Sequence, residues 1–397
     1  MLSKRVVLAG AVLIAGLMLA ACGGASGTSG GGGASTSQPV TVTIWHGFTG
    51  TENDTFTQVV ANFQKANPDI TVNVLAVPFD QLQNKFQTEA ASGKGPTMII
   101  DPQDRMATYN DASLLATIDT SSLKSVSGLE GGQIGGKQVG IPINGKVLAL
   151  FYNKSMVTTV PTDWDALLKD AAAGHGIALT ADWFHNYMWL PAFGASLLDS
   201  NGKAVVDSPE GAKALDYFAM VCKSQGVTCD ADDGAMDTLF RQGKVAYRVQ
   251  GPWASGDYVK DLGADKVGIA KIPTITGQKD PRPWNQFQMI MVSANAKPDE
   301  AAASLKFIAY ITGTDAQTLF EQKANWIPVN TSVDASQNPL VAGFLAQVPS
   351  SDPFPVVKEL GNTWDPMGNA VTKILKGTAS ADALKEAAAT INTANKK

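Results

Sequence analysis

Apolar residues change their spacing repeatedly along this chain, and each change marks an element. Branched residues alternate in Val40-Thr-Val-Thr-Ile-Trp45, which predicts a first strand. Gly47, Gly50 and Thr51 break it, and Asn53 or Asp54 is placed to cap a helix with Phe56, Val59, Val60 and Phe63 on one face. Asn67-Pro68-Asp69 stops that helix, and Ile70-Thr-Val-Asn-Val74 alternates as a second strand. A second amphipathic helix runs from about Asp80 to Ser92, ended by Gly93 and Gly95, before a buried strand at Met98-Ile99-Ile100. Strand–helix–strand–helix–strand predicts a parallel sheet with helices on both faces. Ligands of such sheets sit beyond the carboxyl ends of the strands. His46 to Thr49 and Asp101 to Arg105 both follow strands at that edge.

Further along, Val147-Leu-Ala-Leu-Phe-Tyr152 reads as a strand and Thr162-Asp-Trp-Asp165 opens a helix. Helical spacing returns at Pro209–Ser224 and Ala235–Gln242, followed by a strand Val245–Val249 that ends at Gly251-Pro252-Trp253. Met289-Ile-Met-Val292 is another strand, Pro298–Thr312 and Asp315–Lys323 are helices, and two more helices close the chain. No internal repeat of fixed period is present. The chain beyond Pro39 is too long for one ordinary core and predicts two lobes.

The amino terminus follows another pattern. Lys4 and Arg5 precede an apolar run from Val6 to Leu19, too short to span a bilayer as a permanent helix. Leu19-Ala20-Ala21-Cys22 resembles the lipobox of bacterial lipoproteins. That resemblance implies cleavage before Cys22, with a diacylglycerol on its sulfur; the alternative is a plain secretory signal with an incidental cysteine. The resemblance makes residues 1–21 a lipoprotein signal peptide. Residues 22–38, rich in Gly, Ser and Thr, form a flexible linker whose reach is roughly 20–25 Å.

Composition narrows the classes. Hydrophobic residues make up 44% of the chain and charged residues 17%, as in globular proteins. A formal net charge of −5 with no basic stretch argues against nucleic acid as a partner. The 3 histidines are dispersed, and the 3 cysteines have no zinc-like spacing, so no metal or other cofactor is expected. Cys222 and Cys229, six residues between them, are expected to be bridged in an oxidising exterior. A loop that small stabilises by about 2–3 kcal/mol, less any strain. Two buried free thiols are the alternative.

The order of segments resembles the extracellular solute-binding proteins of carbohydrate ABC importers, the maltose-binding-protein family. The markers are Gly93-Lys-Gly-Pro96, Asp104-Arg105, Ile141-Pro142 with Phe151-Tyr-Asn-Lys154, and Phe240-Arg-Gln-Gly-Lys244 followed by Gly251-Pro-Trp253. None is specific alone; their order across the chain is. The resemblance implies an α/β, two-lobed periplasmic-binding-protein fold of type II, each lobe a mostly parallel sheet flanked by helices. Residues 39–145 plus 289–330 would form the N-terminal lobe and 146–288 plus 331–397 the C-terminal lobe. Three hinge crossings would join them near Asn144–Ala149, Asn285–Ile290 and Pro328–Ala335.

Sugar rings offer CH faces to aromatic side chains and hydroxyls to planar polar groups. By the resemblance, Trp253, Trp364 and Tyr187 are the stacking aromatics, with Trp183 or Trp189 as alternatives to Tyr187. Each could equally be an ordinary core aromatic. Asp104 and Arg105 match a sugar-contacting pair, against an exposed ion pair worth under about 1 kcal/mol. His46 and Glu52 lie where the family places polar contacts, His46 reading better as a structural hydrogen-bonder. Two positions depart from the maltose binders: Asp101 replaces a stacking tryptophan and Lys146 replaces an acid. These two could neutralise each other across the cleft, or Lys146 could meet an anion. Thr97, after Pro96, replaces a usual Asp.

The function implied is a monomeric receptor that closes on a sugar or oligosaccharide and delivers it to the transmembrane subunits of an ABC permease. It would be held by its lipid on the outer face of the bacterial cell membrane. An anionic solute such as a glycerophosphodiester is the alternative, since Trp45-His46-Gly47 is similar to binders of that class. A lipoprotein glycosidase, using Asp101 with Asp104, is the remote one; Arg105 would hold Asp104 ionised.

Overall fold

A computed structural model describes residues 38–397; the signal segment, most of the linker and Cys22 lie outside the described residues. Among the described residues the strands are β1 (Val40–His46), β2 (Ile70–Ala76), β3 (Met98–Pro102), β4 (Gln133–Ile134), β5 (Lys137–Gln138), β6 (Ile141–Val147), β7 (Ala149–Asn153), β8 (Ile177–Thr180), β9 (Val227–Asp230), β10 (Tyr247–Gln250), β11 (Val267–Ala270), β12 (Trp284–Val292) and β13 (Asp352–Pro353). They form two main sheets, β13-β12-β3-β1-β2 with β6 on the other edge of β12, and β11-β7-β10-β8-β9; β4 and β5 make a small ribbon.

In the first sheet β1 runs parallel to β2 and to β3, through register pairs such as Ile44↔Val74 and Ile44↔Met98. Side chains alternate across it: Val42, Ile44, Met98, Ile100 and Ile290 pack on one face with Phe56, Phe63 and Phe307. Trp45, Ile99, Met289 and Met291 pack on the other with Leu82, Phe86 and Tyr109. Burial on both faces is what a parallel sheet clad by helices requires. Thr97 has a structural role here, since the backbone N–H groups of Thr43 and Thr97 each donate to the other's hydroxyl, at 3.1 and 2.9 Å. The second sheet likewise separates two apolar layers, around Trp164, Trp189 and Leu384 and around Phe151, Phe240 and Tyr258.

Both sheets are mixed. β12 runs antiparallel to β3 and β6, and β7 antiparallel to β10 and β11. The cause is the path of the chain, which returns from one lobe to the other instead of completing each lobe in turn. The expected strand Val147–Tyr152 is therefore two: β6 ends in the first sheet at Val147, and β7 begins in the second at Ala149. β12 makes the return, with Trp284 in the core of the second lobe and Ile290 in that of the first. Trp326 and Val329 pack in the first lobe, while Ala335 and Leu340 pack in the second.

The first helix spans Gly50–Ala66, earlier than a cap at Asn53 or Asp54 would place it, and Thr49 at its N-cap makes no side-chain hydrogen bond. Cys222, at the end of helix Pro209–Lys223, is joined to Cys229 on the edge strand β9, with their Cα atoms 5.5 Å apart.

Candidate functional site

The carboxyl edge of the first sheet collects polar side chains because β3 runs directly into helix Gln103–Asp111. That junction sets Arg105 one helical turn from Asp101. Its Nη1 donates to the two carboxylate oxygens of Asp101 at 3.0 and 3.2 Å, and the Tyr109 hydroxyl donates to the second of them. Burial pushes the Asp101 carboxyl up to about 6, against the opposing pull of Arg105 and Tyr109. Asp104 is also shifted upward by burial, with Arg105 opposing. Arg105 thus gives its carboxylate hydrogen bonds to Asp101 and none to Asp104. Its guanidinium lies 4.0 Å from the ring centroid of Phe79, an exposed aromatic at the rim.

Lys146, half-buried on β6, places Nζ 5.2 Å from the ring centroid of Trp253 in the second lobe. Burial lowers its pKa, while Glu52, then Asp101 and Asp104, favour its charged form. Asp101 and Lys146 lie in one sheet instead of facing each other from two. β3 and β6 flank the same strand of the first sheet, and Asp101 spends its hydrogen bonds on Arg105 and Tyr109. Glu52, in the first turn of helix Gly50–Ala66, is buried and accepts a 2.6 Å hydrogen bond from the Trp326 indole. Burial raises its pKa and Lys146 opposes that. His46 is fully buried, its Nδ1 accepting from the Phe48 amide at 3.0 Å, and burial lowers its pKa to about 4, so the ring is neutral.

The second lobe supplies an aromatic wall. Tyr187 stacks on Trp284 with centroids 3.9 Å apart, and Trp364 meets Trp284 edge-on at 5.7 Å. Phe184 lies 6.2 Å from both Trp253 and Trp284, which makes the wall continuous. Trp183 and Trp189 are core residues, and Tyr187 remains half-buried with its hydroxyl donating to Asp352 at 3.1 Å. One side of Tyr187 and Trp284 borders a cavity of about 570 Å³ rimmed by Leu197, Asp199 and Glu359. Phe184 and Trp284 were not among the expected site residues. Following the period-two pattern of β12 back through Gln288 and Gln286 would have reached Trp284.

The two lobes also touch directly. Asp257 Oδ1 accepts from Thr51 N at 3.0 Å and from Thr51 Oγ1 at 2.7 Å, capping the first helix from the other lobe. Two glycines permit this approach: a Cβ on Gly50 would sit 2.2 Å from Asp257 Oδ2, and one on Gly256 2.6 Å from Thr51 Cβ. Elsewhere along the lobe boundary, Lys358 pairs with Asp111 at 3.6 Å. Among the described residues no group of histidines, cysteines or acids could hold a metal, and no helix is long and apolar enough to cross a membrane.

A model of the bacterial extracellular solute-binding protein family matches residues 58–342. The maltooligosaccharide ABC transporter solute-binding lipoprotein of Streptococcus pneumoniae is 24% identical, over 98% of this chain and 96% of its own length. The maltotriose-binding protein of Pyrococcus abyssi is 26% identical, over 86% and 79%. Among solved structures, the Thermus thermophilus maltotriose-binding protein bound with maltotriose superposes with a TM-score of 0.81 at 26% identity, covering 89% of this chain and 99% of that one. The maltose/maltodextrin-binding domain from Bdellovibrio bacteriovorus gives 0.83 at 23% identity, covering 90% and 100%, and so shares the fold.

Proposed function

We infer the function of this chain from the family to which it belongs, the bacterial extracellular solute-binding proteins: it is an extracytoplasmic receptor that captures a sugar or oligosaccharide between its lobes and hands it to an ABC permease. The observation that carries this reading is the aromatic wall of Trp253, Phe184, Tyr187 and Trp364, braced from behind by the buried Trp284 and brought against the polar edge of the first sheet, where Lys146 lies over Trp253. Apolar ring faces with a few convergent polar groups are what a saccharide needs. The relatives and neighbours named for maltooligosaccharides and maltotriose point to the same ligand class.

Capture works by hinge closure. β6 and β12 run from one lobe to the other, so the lobe boundaries we assign, 39–145 plus 289–330 and 146–288 plus 331–397, cut through these strands. Closure is favoured only by ligand contacts that the open form lacks. The Asp101/Asp104 pair is unsuited to glycoside cleavage, because Asp101 is fully buried and engaged by Arg105 and Tyr109. The chain therefore binds and does not cleave. Cys22 carries the lipid, the linker spaces the monomeric receptor from the membrane, and the transmembrane permease subunits are its partners. A thermal-shift panel of neutral oligosaccharides tests the ligand class. A ligand at 100 times its dissociation constant adds about 2.7 kcal/mol of stability. A panel in which every neutral saccharide leaves the transition unmoved would remove the sugar reading.

A further inference from the structure

Polar atoms without hydrogen-bond partners are buried along the strands of the first sheet. Among the described residues, and leaving aside Trp284 at the start of β12, they are Asn144 Oδ1, Gln286 Oε1, Gln288 Oε1 and His46 Nε2. These residues are 1%, 5%, 3% and 0% exposed respectively. Natural interiors rarely leave such groups unpaired, because each costs about 1–3 kcal/mol of lost hydration.

Their positions are not scattered. His46 ends β1, Asn144 is central in β6, and on β12, antiparallel to β3 and β6, Gln288 pairs with Pro102 at the carboxyl end of β3 while Gln286 lies one step beyond. All four therefore fall at the sheet edge where the polar site residues gather. Register pairs Gln288 with Asn144, and Gln286 with Lys146, the residue whose ammonium reaches Trp253. Directly paired residues hold their Cβ atoms about 4.5–5.5 Å apart. The amides thus adjoin Lys146 on the strands that link the lobes.

We propose that Asn144, Gln286 and Gln288 are ligand-contacting residues that set specificity, completing their missing hydrogen bonds with the hydroxyls of an uncharged polyhydroxylated solute. This rests on the sugar-receptor reading and narrows it. A hydroxyl both donates and accepts, so it can satisfy either end of an amide; a phosphate or carboxylate can use only the NH2 end. Lys146, the cation beside the row, is already opposed by Glu52, Asp101 and Asp104, which leaves little positive charge for an anion.

The test replaces each glutamine by an apolar side chain of similar length, Gln286→Met and Gln288→Met, singly and together. Calorimetry against maltotriose, a panel of other neutral oligosaccharides and sn-glycerol 3-phosphate is paired with melting of the ligand-free protein. Each single change should weaken the preferred neutral saccharide by roughly 3–10-fold, the worth of one hydrogen bond. Melting of the free protein should hold or rise, because an unpaired buried amide has been removed. Affinity within twofold of wild type in both single variants and the double would overturn the assignment, as would a melting loss that accounts for the lost affinity. Those two results leave the sugar-receptor reading standing. A wild type that binds sn-glycerol 3-phosphate, or nothing, while ignoring every neutral saccharide would overturn that reading and this one together.

Discussion

Asp257→Ala removes the acceptor through which the second lobe caps the first helix of the first lobe. The lost interactions are the 3.0 Å bond from Thr51 N and the 2.7 Å bond from Thr51 Oγ1. Hydrogen bonds to a charged group contribute about 1.5–3 kcal/mol each when desolvated. Asp257 is half-buried, so screening brings the pair to about 1–2 kcal/mol in total. The bonds span the lobes, so the loss falls on the closed state. Apparent affinity scales with the competent fraction. If the free protein rests mostly open, 1–2 kcal/mol weakens ligand binding about 5–30-fold. Gly256→Ala reaches the same state by sterics alone, since its Cβ would meet Thr51 Cβ at 2.6 Å. Calorimetry gives the affinity, and small-angle scattering of free and liganded protein gives the closure. Both variants should bind more weakly, with a free-state scattering radius equal to or larger than wild type. Unchanged affinity and unchanged scattering in both would show that the contact does not distinguish open from closed, and the hinge argument built on it would fail.

Trp253→Ala should weaken sugar binding by about 2 kcal/mol, as for a central aromatic anchor, with a much smaller change in melting; calorimetry and melting together check this. His46 is neutral in the folded state, with a pKa lowered to about 4 by burial, against about 6.5 when unfolded. Its contribution is therefore fully present above about pH 6.5 and is lost as pH falls towards 4, because the unfolded chain takes up the proton first. Asp101, raised to about 6, acts in the opposite sense over much of that range. His46→Leu should flatten the acid fall in stability between pH 6.5 and 4, measured by denaturant titration; an unaltered slope would remove His46 as its source. Cys22→Ser should release soluble protein or leave unprocessed precursor on cell fractionation, whereas a processed, membrane-bound variant would sink the lipid anchor.

Much of the scaffold was legible because local patterns decide it. The strand–helix alternation before Ile100, the caps at Asp163 and the helix from Pro209 depend on neighbours in sequence, and they appear where expected. What could not be read is non-local. Val147–Tyr152 looks like one strand, yet Leu148 separates two strands in different sheets, a division made by the hinge path and not by residue preference. The first helix is capped by an aspartate 206 residues away, so Asn53 and Asp54 were the only caps in view. The site divides in the same manner. Trp253, Tyr187 and Trp364 are brought together, but the residues that join them, Phe184 and Trp284, looked like ordinary apolar positions. Opposite charges suggest pairing Asp101 with Lys146, whereas the helix that starts at Gln103 supplies Arg105 and Tyr109 first. Restoring a tryptophan at Asp101 is accordingly not a simple repair, since that side chain is fully buried among those partners.

Calorimetry of the exported domain against neutral oligosaccharides and sn-glycerol 3-phosphate, each at low and high salt, separates the possible ligands. Exposed charge interactions are screened beyond about 10 Å at 0.1 M salt and about 3 Å at 1 M. A neutral saccharide should bind with an affinity that barely changes between the two conditions, while sn-glycerol 3-phosphate gives no heat. Binding confined to sn-glycerol 3-phosphate, and weakening steeply with salt, would contradict a receptor whose aromatic wall and amide row serve an uncharged sugar.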